Sequence, residues 1–273
     1  MPPFIIPDAD RHLAQWNLVP DGTPIETHSS HLLPVLLADQ TPAMLKISHR
    51  AEEQQGGHLM VWWNGQGSAR VFAHDDAALL LERATGPRSL AEMSRTGNDT
   101  EASRILCVAA AKLHANTRST PPKLTPVCEW FRELEPAALH HGGILRESLR
   151  ASHHLLKTPQ DIVILHGDLH HGNVLDAGWR GWLAIDPKGL AGERGFDFAN
   201  IFCNPDATTA TAPGRVATQA TVIAEAAHLD RTRLLQWILA YAGLSAAWSL
   251  NSGNNPDLAL AVAQEADAEL AKT

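Results

Sequence analysis

The sequence predicts an α+β fold in two parts, an antiparallel sheet followed by a mostly helical region. Apolar runs separated by turn residues occupy the first third of the 273-residue chain. Apolar residues at helical spacing dominate the remainder. The break at Thr85-Gly86-Pro87 separates the two patterns. We therefore expect an N-terminal lobe over residues 1–84 and a larger C-terminal lobe over residues 85–273.

The N-terminal lobe is expected to contain two β-hairpins and one main helix. The first hairpin is predicted from the apolar runs PIETHSSHLLPVLL and PAMLKIS, which flank the turn-like segment ADQTP. The second hairpin is predicted in ARVFAHDDAALLLERA, with its turn at Asp75-Asp76. Between them, RAEEQQGGHLMVWW has helical character, although Gly56-Gly57 weakens that prediction.

The C-terminal lobe is expected to be helical, with one strand-rich segment inside it. Helices are predicted in EASRILCVAAAKLHANTR, in the more apolar RTRLLQWILAYAGLSAAWSL, and in PDLALAVAQEADAELAKT, which begins after Pro256. The strand-rich segment runs from DIVIL to WLAID. Within it, NVLDAGWRGWLAID predicts two short strands about a turn at Ala177-Gly178.

Composition excludes several classes of function. The net charge of −8 and the lack of any Lys/Arg cluster disfavour nucleic-acid binding, because phosphate contacts need a basic face. The apolar runs fall short of the ~20 residues that span a bilayer, so no membrane protein is expected. The N-terminus shows no secretory signal, which predicts a cytoplasmic location. Three widely spaced cysteines predict reduced thiols, and the lack of heptads predicts a monomer.

The segment ILHGDLHHGNVLD, residues 164–176, concentrates polar side chains and raises two alternatives. His166 and His170 are four residues apart, which on a helix is the spacing of a zinc-protease motif. The preceding β-branched run and the glycines at 167 and 172 instead predict a loop. The segment also lacks the cysteine or acidic ligands that would complete a zinc site. A loop that serves phosphoryl transfer is therefore the better interpretation.

The carboxylates and the amide of this region suit a magnesium site. Asp168 and Asn173 lie five residues apart on one loop, and Asp186 follows at the end of the next predicted strand. A hairpin brings Asp186 back beside Asn173, and their oxygen atoms are the hard ligands that Mg²⁺ takes together with water and phosphate oxygens. Asp168 is then free to face an acceptor hydroxyl group.

These residues resemble a known pattern. His166-Gly167-Asp168, Asn173 and Asp186 resemble the catalytic and metal-binding loops of the protein-kinase-like fold, in the form found in aminoglycoside phosphotransferases. Together with GWLAIDPKGLAGERGFDFANIFCNPD and YAGLSAAW, they are similar to the aminoglycoside/hydroxyurea antibiotic resistance kinase family, and most closely to its streptomycin 6-phosphotransferase branch. The resemblance implies transfer of the ATP γ-phosphoryl group to the 6-hydroxyl of streptomycin, with Mg²⁺, and hence antibiotic resistance.

The resemblance also implies roles in the N-terminal lobe. Lys46 ends the strand AMLKIS, which resembles the kinase V-A-I-K strand, and is expected to bind the α- and β-phosphates. Glu53 is expected to form an ion pair with Lys46, and Glu52 is the competing partner. The segment that corresponds to the glycine-rich loop is ETHSSHLL, without glycine, so Ser29 and Ser30 are expected to contact the phosphates instead.

Two further segments complete the expected nucleotide site. Backbone groups of Glu82 and Ala84 are expected to bind the edge of the base. The sequence leaves open whether GTP also serves in place of ATP. The metal-binding loop reads Asp186-Pro187-Lys188-Gly189 rather than D-F-G, and no A-P-E segment follows. The regulated in/out movement of a D-F-G phenylalanine is therefore not expected, which favours a constitutive small-molecule kinase.

The acceptor predicted by the resemblance is a small cationic molecule, so its pocket is expected to offer carboxylates. Glu193 and Asp206 follow the metal-binding loop and are the expected substrate ligands. Asp197 is expected to cap a helix or brace the catalytic loop. His166 is expected to hydrogen-bond neighbouring backbone, while His170 is a candidate either for loop scaffolding or for acceptor contact.

Two other functions stay open on the sequence alone. A kinase of the same fold would phosphorylate hydroxyurea or a metabolic alcohol, and a catalytically inactive relative would serve as a binding module. The binding module is disfavoured because Lys46, Asp168, Asn173 and Asp186 are all present.

Overall fold

The computed structural model describes residues 9–27, 29–48, 50–116 and 120–273. Residues 1–8, which carry part of the expectation about a secretory signal, lie outside these ranges. The last residues of the first helix predicted for the C-terminal lobe, 117 and 118, also lie outside them.

An antiparallel sheet forms the N-terminal part of the chain, with helices beside it. Its strands are β1 (Val19–Pro20), β2 (Ile25–Glu26), β3 (His31–Leu36), β4 (Pro42–Ile47), β5 (Val71–His74) and β6 (Ala78–Glu82). The helices are α1 (Ala9–Gln15) and α2 (Ala51–Trp63). The strand order is β1-β3-β4-β6-β5, with β2 paired to β3. Both predicted hairpins are confirmed, as β3 with β4 and β5 with β6. Helix α1 was not predicted, because seven residues give too short an apolar pattern.

Helix α2 runs without interruption through the two glycines that weakened its prediction. A Cβ atom on Gly56 would lie 2.0 Å from the carbonyl oxygen of Pro187, and one on Gly57 would lie 2.9 Å from Cδ1 of Leu79. The glycines therefore reflect close packing, of the helix against the metal-binding loop on one side and against β6 on the other.

Helices make up most of the remaining chain. They are α3 (Leu90–Met93), α4 (Asp99–His114), α5 (Leu134–His141), α6 (Ile144–Lys157), α7 (Gly195–Ala199), α8 (Ala207–Ala210), α9 (Arg215–Ala227), α10 (Arg231–Asn251) and α11 (Asp257–Leu270). The strands of this part are β7 (Thr125–Pro126), β8 (Ile162–Leu165), β9 (Val174–Asp176), β10 (Trp182–Ala184) and β11 (Leu190–Glu193). The predicted strand-rich segment is thereby confirmed: β9 and β10 pair about the predicted turn, and β11 pairs antiparallel with β8.

Helix α10 lies at the centre of the helical part. Most of its residues are buried, and it packs against α6, α7 and α11. A cluster of aromatic rings, which includes Phe196, Trp237 and Tyr241, fills the space between α7 and α10. Helix α7 is thereby fixed beneath the catalytic loop that follows β8.

The sheet and the helical part are joined by hydrogen bonds and by a shared core. The backbone N–H of Ala69 donates to Ala184 at 3.0 Å, and that of Gly86 donates to Asp176 at 2.8 Å. The last turns of α2, with Leu59 and Trp63, belong to the same apolar cluster as α4. The sheet ends at β6 and the helices begin at α3, and the boundary between residues 84 and 85 stays a prediction.

The cysteines and helices bear on two further expectations. Cys107, Cys128 and Cys203 are free thiols, and burial raises the pKa of Cys107 and of Cys203 to about 12. Within the described ranges, none of the helices combines the length and the apolar character needed to cross a bilayer.

Candidate active site

The catalytic loop connects β8 to β9 and contains the residues on which the sequence analysis concentrated. Gly167 has φ of +84°, a left-handed conformation that favours glycine, and a Cβ there would lie 2.9 Å from Cδ1 of Leu190. His166 and His170 are thus on a tight loop and not on one face of a helix.

Asp168 is held by amide groups from two sides. The side-chain Nδ2 of Asn200 donates to Oδ1 of Asp168 at 2.7 Å, and Nδ2 of Asn173 donates to Oδ2 at 3.2 Å. Burial raises the pKa of Asp168 to about 7, against the lowering effect of the positive charge on Lys188. A carboxylate with such a pKa is suited to accept a proton from a hydroxyl group near neutral pH.

Asn200 and Asn204 were missed by the sequence analysis. Nδ2 of Asn204 donates to Oδ1 of Asn200 at 3.0 Å. This bond orients the Asn200 amide so that its Nδ2 faces Asp168. The sequence does carry a signal for this chain of amides. Asn200 follows Asp197 by three residues and precedes Asn204 by four, the spacing of side chains on one helical face.

Asp197 lies on α7 and braces the catalytic loop. Two roles were predicted for it, a helix cap and a brace of this loop, and its contacts support the second. Its carboxylate accepts hydrogen bonds from the backbone N–H of His166 at 2.9 Å and of Gly167 at 2.7 Å. The ring of His114 contacts the same carboxylate at 2.8 Å. The side chain of His166 contacts the carbonyl oxygen of Ile185 at 2.8 Å, so this loop is tied to the metal-binding loop.

Asn173 and Asp186 lie on neighbouring strand ends, as expected for metal ligands. The backbone N–H of Ile185 donates to the carbonyl oxygen of Asn173 at 2.9 Å. Nδ2 of Asn173 is used by Asp168, which leaves the amide oxygen to face a metal ion. Burial disfavours the charged form of Asp186, but Lys46 and Lys188 outweigh it and lower its pKa to about 2. An ionised carboxylate and an amide oxygen fit Mg²⁺, whose other ligands are water and phosphate oxygens.

Lys46 lies on β4 and forms ion pairs with Glu53 on α2 and with Asp186. Glu53 is buried, whereas the competing Glu52 is exposed, so the structure selects Glu53 as the partner of Lys46. Lys188 is a second lysine at the same carboxylates and was noted in the sequence only as part of a departure from D-F-G. Its Nζ lies 3.5 Å from Oε1 of Glu53 and 3.7 Å from Oδ2 of Asp186.

A cavity of about 460 Å³ opens between the sheet and β9, next to these charges. Met44, Leu81, Leu175 and Ile185 contribute apolar walls to it. Four residues predicted to bind the nucleotide also line it, together with Lys46, Asn173 and Asp186: Ser29, Ser30, Glu82 and Ala84. Apolar walls with charged groups at one end suit a base and its phosphates.

Glu193 is not part of this site, contrary to the expectation that it contacts the substrate. Its carboxylate is buried and accepts hydrogen bonds from Arg233 at 2.6 Å and from the indole N–H of Trp237 at 2.7 Å. The last residue of β11 thus faces α10 rather than the acceptor, because pairing of β11 with β8 sets its direction. Glu193 is therefore removed from the candidate substrate ligands.

The two other substrate candidates, Asp206 and His170, stay predictions. Asp206 accepts from the backbone N–H of Thr209 at 3.0 Å and from Nε of Arg95 at 2.7 Å, and these bonds lower its pKa to about 2. Nε2 of His170 lies 3.8 Å from Oδ1 of Asp168. Burial lowers the pKa of His170 to about 4, so its ring is neutral at pH 7.

The two-part fold, with a strand lysine and an Asn/Asp pair at one cavity and an aspartate hydrogen-bonded to that asparagine, is that of a phosphotransferase of the protein-kinase-like class. An aminoglycoside phosphotransferase solved with ADP and hygromycin B has the same fold, with a TM-score of 0.66 at 13% identity, over 96% of this chain and 98% of that one. The profile of the aminoglycoside/hydroxyurea antibiotic resistance kinases matches residues 15–253, and the chain belongs to that family.

Two curated relatives are named as streptomycin kinases. The streptomycin 3″-kinase of Klebsiella pneumoniae is 48% identical over 246 residues, which are 88% of this chain and 92% of the relative. The streptomycin 6-kinase of Streptomyces griseus is 34% identical over 258 residues, 89% of this chain and 82% of the relative. The resemblance inferred from the sequence motifs is thereby confirmed at the level of the family.

Proposed function

We propose that the chain transfers the γ-phosphoryl group of ATP to a hydroxyl group of streptomycin and so inactivates the antibiotic. The observation that carries this proposal is the hydrogen bond between Asp168 and Asn173, next to an apolar cavity that Asn173 lines together with the Lys46–Asp186 ion pair. A group that accepts the proton of the acceptor hydroxyl, two metal ligands and a phosphate ligand are what phosphoryl transfer requires from a protein.

In the proposed mechanism Asp168 orients the acceptor hydroxyl and accepts its proton as the oxygen attacks phosphorus. Asn200 and Asn173 keep both carboxylate oxygens of Asp168 in place. Lys46 holds the α- and β-phosphates, and Asn173 and Asp186 would hold Mg²⁺, which neutralises charge on the phosphate oxygens when it is bound. Apolar side chains of the cavity hold the base, with backbone groups of Glu82 and Ala84 at its edge.

The position of phosphorylation is the finer part of the proposal. The motifs alone led to the 6-hydroxyl of streptomycin, but the 3″-kinase is 48% identical to this chain and the 6-kinase 34%. We therefore propose the 3″-hydroxyl as the first candidate and keep the 6-hydroxyl as the second. The two differ in the orientation of the drug above Asp168, not in the chemistry at the phosphorus atom.

A cationic acceptor is compatible with the negative charge of Asp206. Asp206 already binds the guanidinium group of Arg95, and streptomycin carries two guanidinium groups of its own. Guanidinium groups pair with carboxylates by directed hydrogen bonds. We infer that one guanidinium of the drug competes with Arg95 for Asp206.

The test is ADP release by the purified protein with ATP and Mg²⁺, with streptomycin, with hydroxyurea or with neither. We expect release that depends on streptomycin and that falls by about 10²-fold or more in Asp168→Asn. NMR of the product, through coupling between phosphorus and the sugar or cyclitol proton, then identifies the 3″ or the 6 position. If only hydroxyurea stimulated ADP release, hydroxyurea and not streptomycin would be the acceptor. The lack of any nucleotide turnover would favour the binding module.

A further inference from the structure

Lys188 takes part in an alternating cluster of four charges at the inner end of the cavity. Glu53 presents Oε2 to Lys46 and Oε1 to Lys188. Asp186 likewise presents Oδ1 to Lys46 and Oδ2 to Lys188. Two lysines thus share the same two carboxylates, although only one lysine is needed to complete the pair expected of a kinase strand and helix.

The main chain of Lys188 is fixed by hydrogen bonds, while its side chain is partly exposed and loosely held. Its backbone N–H donates to the carbonyl oxygen of His166 at 2.7 Å, which ties the metal-binding loop to the catalytic loop. The next carbonyl, of Gly189, accepts from Nε2 of Gln55 on α2 at 2.9 Å. The side chain of Lys188 keeps 16% of its surface exposed, and its contacts of 3.5 and 3.7 Å are longer than charge-assisted hydrogen bonds.

The ammonium group of Lys188 acts on both functional carboxylates. It lies within 3.7 Å of Asp186, and its charge is the principal effect that opposes the burial-induced rise in the pKa of Asp168. Lys188 thus contacts the carboxylate expected to face the metal ion, and its charge also acts on the carboxylate expected to face the acceptor. In an in-line transfer the γ-phosphoryl group lies between the group that faces the acceptor and the group that faces the metal ion.

The turn over the nucleotide site leaves a need for such a cation. Kinases with a glycine-rich loop surround the phosphates with backbone N–H groups. Here the N–H of Thr27 donates to the carbonyl oxygen of Ser30, and the N–H of Ser30 donates to Oγ1 of Thr27. These two amides are engaged within the turn and are therefore not available to the terminal phosphate.

We propose that Lys188 is a second phosphate-binding lysine, which contacts the γ-phosphoryl group of ATP and stabilises its charge during transfer. The inference rests on the proposed kinase function and adds a residue to it. Lys46 keeps the α- and β-phosphates, and Lys188 releases its weaker contacts with Glu53 and Asp186 when the nucleotide binds.

The transfer step is balanced without any change in Lys188. The acceptor oxygen forms a bond to the γ-phosphorus while the bond from that phosphorus to the β,γ-bridging oxygen breaks. The hydroxyl proton passes to Asp168, and the bridging oxygen leaves as part of ADP. Lys188 stays protonated throughout and interacts with the equatorial oxygens of the phosphoryl group.

The experiment compares the affinities of ADP and of the non-hydrolysable analogue AMP-PNP, both with Mg²⁺, in the wild type and in Lys188→Met. A γ-specific contact predicts that AMP-PNP affinity falls about tenfold or more while ADP affinity stays within about twofold. Lys46→Met is the matched control, and it should lower both affinities together. Turnover with streptomycin should fall about 10²-fold in Lys188→Met and recover in part in Lys188→Arg.

Two results would overturn the assignment. An equal loss of ADP and AMP-PNP affinity would show that Lys188 merely supports Glu53 and Lys46, and unchanged affinity for both would show that it does not contact phosphate. Lys188→Gln provides the same comparison if the methionine variant does not fold. Because nucleotide affinity needs no acceptor, the comparison decides on Lys188 even if streptomycin is not the substrate.

Discussion

The close approach of α2 to the metal-binding loop makes Gly56→Ala a sensitive test of the site. The added Cβ would lie 2.0 Å from the carbonyl oxygen of Pro187, whereas a carbon and an oxygen in contact are ~3.3 Å apart. Helix and loop must therefore separate by ~1.3 Å, next to Asp186 and Lys188. Misplacement on this scale in an active site costs about 10²-fold in rate.

Stability is expected to change less than activity in this variant. Overpacking costs ~1–3 kcal/mol, and the better helix propensity of alanine offsets ~1 kcal/mol of that. The net loss in the free energy of unfolding is then ~0–2 kcal/mol. The assay is ADP release with streptomycin at saturating ATP, together with urea unfolding of the same preparations.

Gly57→Ala is the matched control, because it makes the same change one residue further along α2. Its Cβ would lie 2.9 Å from Cδ1 of Leu79, the end of a flexible side chain that can rotate away. We expect turnover within about threefold of the wild type for this variant. If Gly56→Ala also retains wild-type turnover and stability, the contact between α2 and Pro187 does not constrain the site, and the reasoning is refuted.

Three further variants test individual carboxylates. Asp168→Asn should lower kcat by about 10²–10⁴-fold and leave ADP affinity within about twofold, measured by turnover and by calorimetric titration. Glu193→Ala leaves the mostly buried Arg233 without its carboxylate, so the free energy of unfolding in urea should fall by ~3–5 kcal/mol while KM for streptomycin is unchanged. Burial raises the pKa of Asp197, but its hydrogen bonds outweigh that effect and the net shift is downward. Its folded pKa is then below the unfolded value, so the stability that Asp197→Asn removes at pH 7 should disappear only as the pH falls below about 4.

Each variant has an outcome that would contradict its role. Wild-type kcat in Asp168→Asn would exclude this residue as the group that receives the proton. A raised KM for streptomycin in Glu193→Ala, at unchanged stability, would restore the substrate contact expected from the sequence. A stability difference between the wild type and Asp197→Asn that stays constant from pH 7 to pH 3.5 would show that Asp197 keeps its ordinary pKa in the folded protein.

Local patterns were enough to predict the parts of the site that lie within one short segment. The loop from His166 to Asn173 is bounded by a β-branched run and a hairpin, and both signals depend on neighbouring residues alone. Lys46 was predicted because its strand AMLKIS resembles the V-A-I-K strand of kinases. The choice between Glu52 and Glu53 needed the structure, because adjacent residues of a helix differ in direction by about 100° and the sequence does not fix the rotation of the helix.

Long-range packing accounts for the residues that were misplaced or missed. Glu193 was assigned to the substrate because it follows the metal-binding loop closely in sequence, but its partner Arg233 is forty residues away on α10. Asn200 was missed because the contact with Asp168 spans thirty-two residues. Gly56 was taken as a weakness of the helix, since a glycine required by the carbonyl of another loop looks the same in the sequence as one that is merely tolerated.

The anchoring of α2 determines how this enzyme can be controlled. In kinases that respond to signals, the corresponding helix moves away and separates the glutamate from the lysine. Here Gln55 is bonded to Gly189, Gly56 lies against Pro187, and the end of the helix is buried in the core of the helical part. These contacts hold α2 against the metal-binding loop, and with it Glu53 beside Lys46 and Lys188. We therefore expect no signal-driven movement of α2, so that under the proposed function the rate of drug modification follows the amount of enzyme.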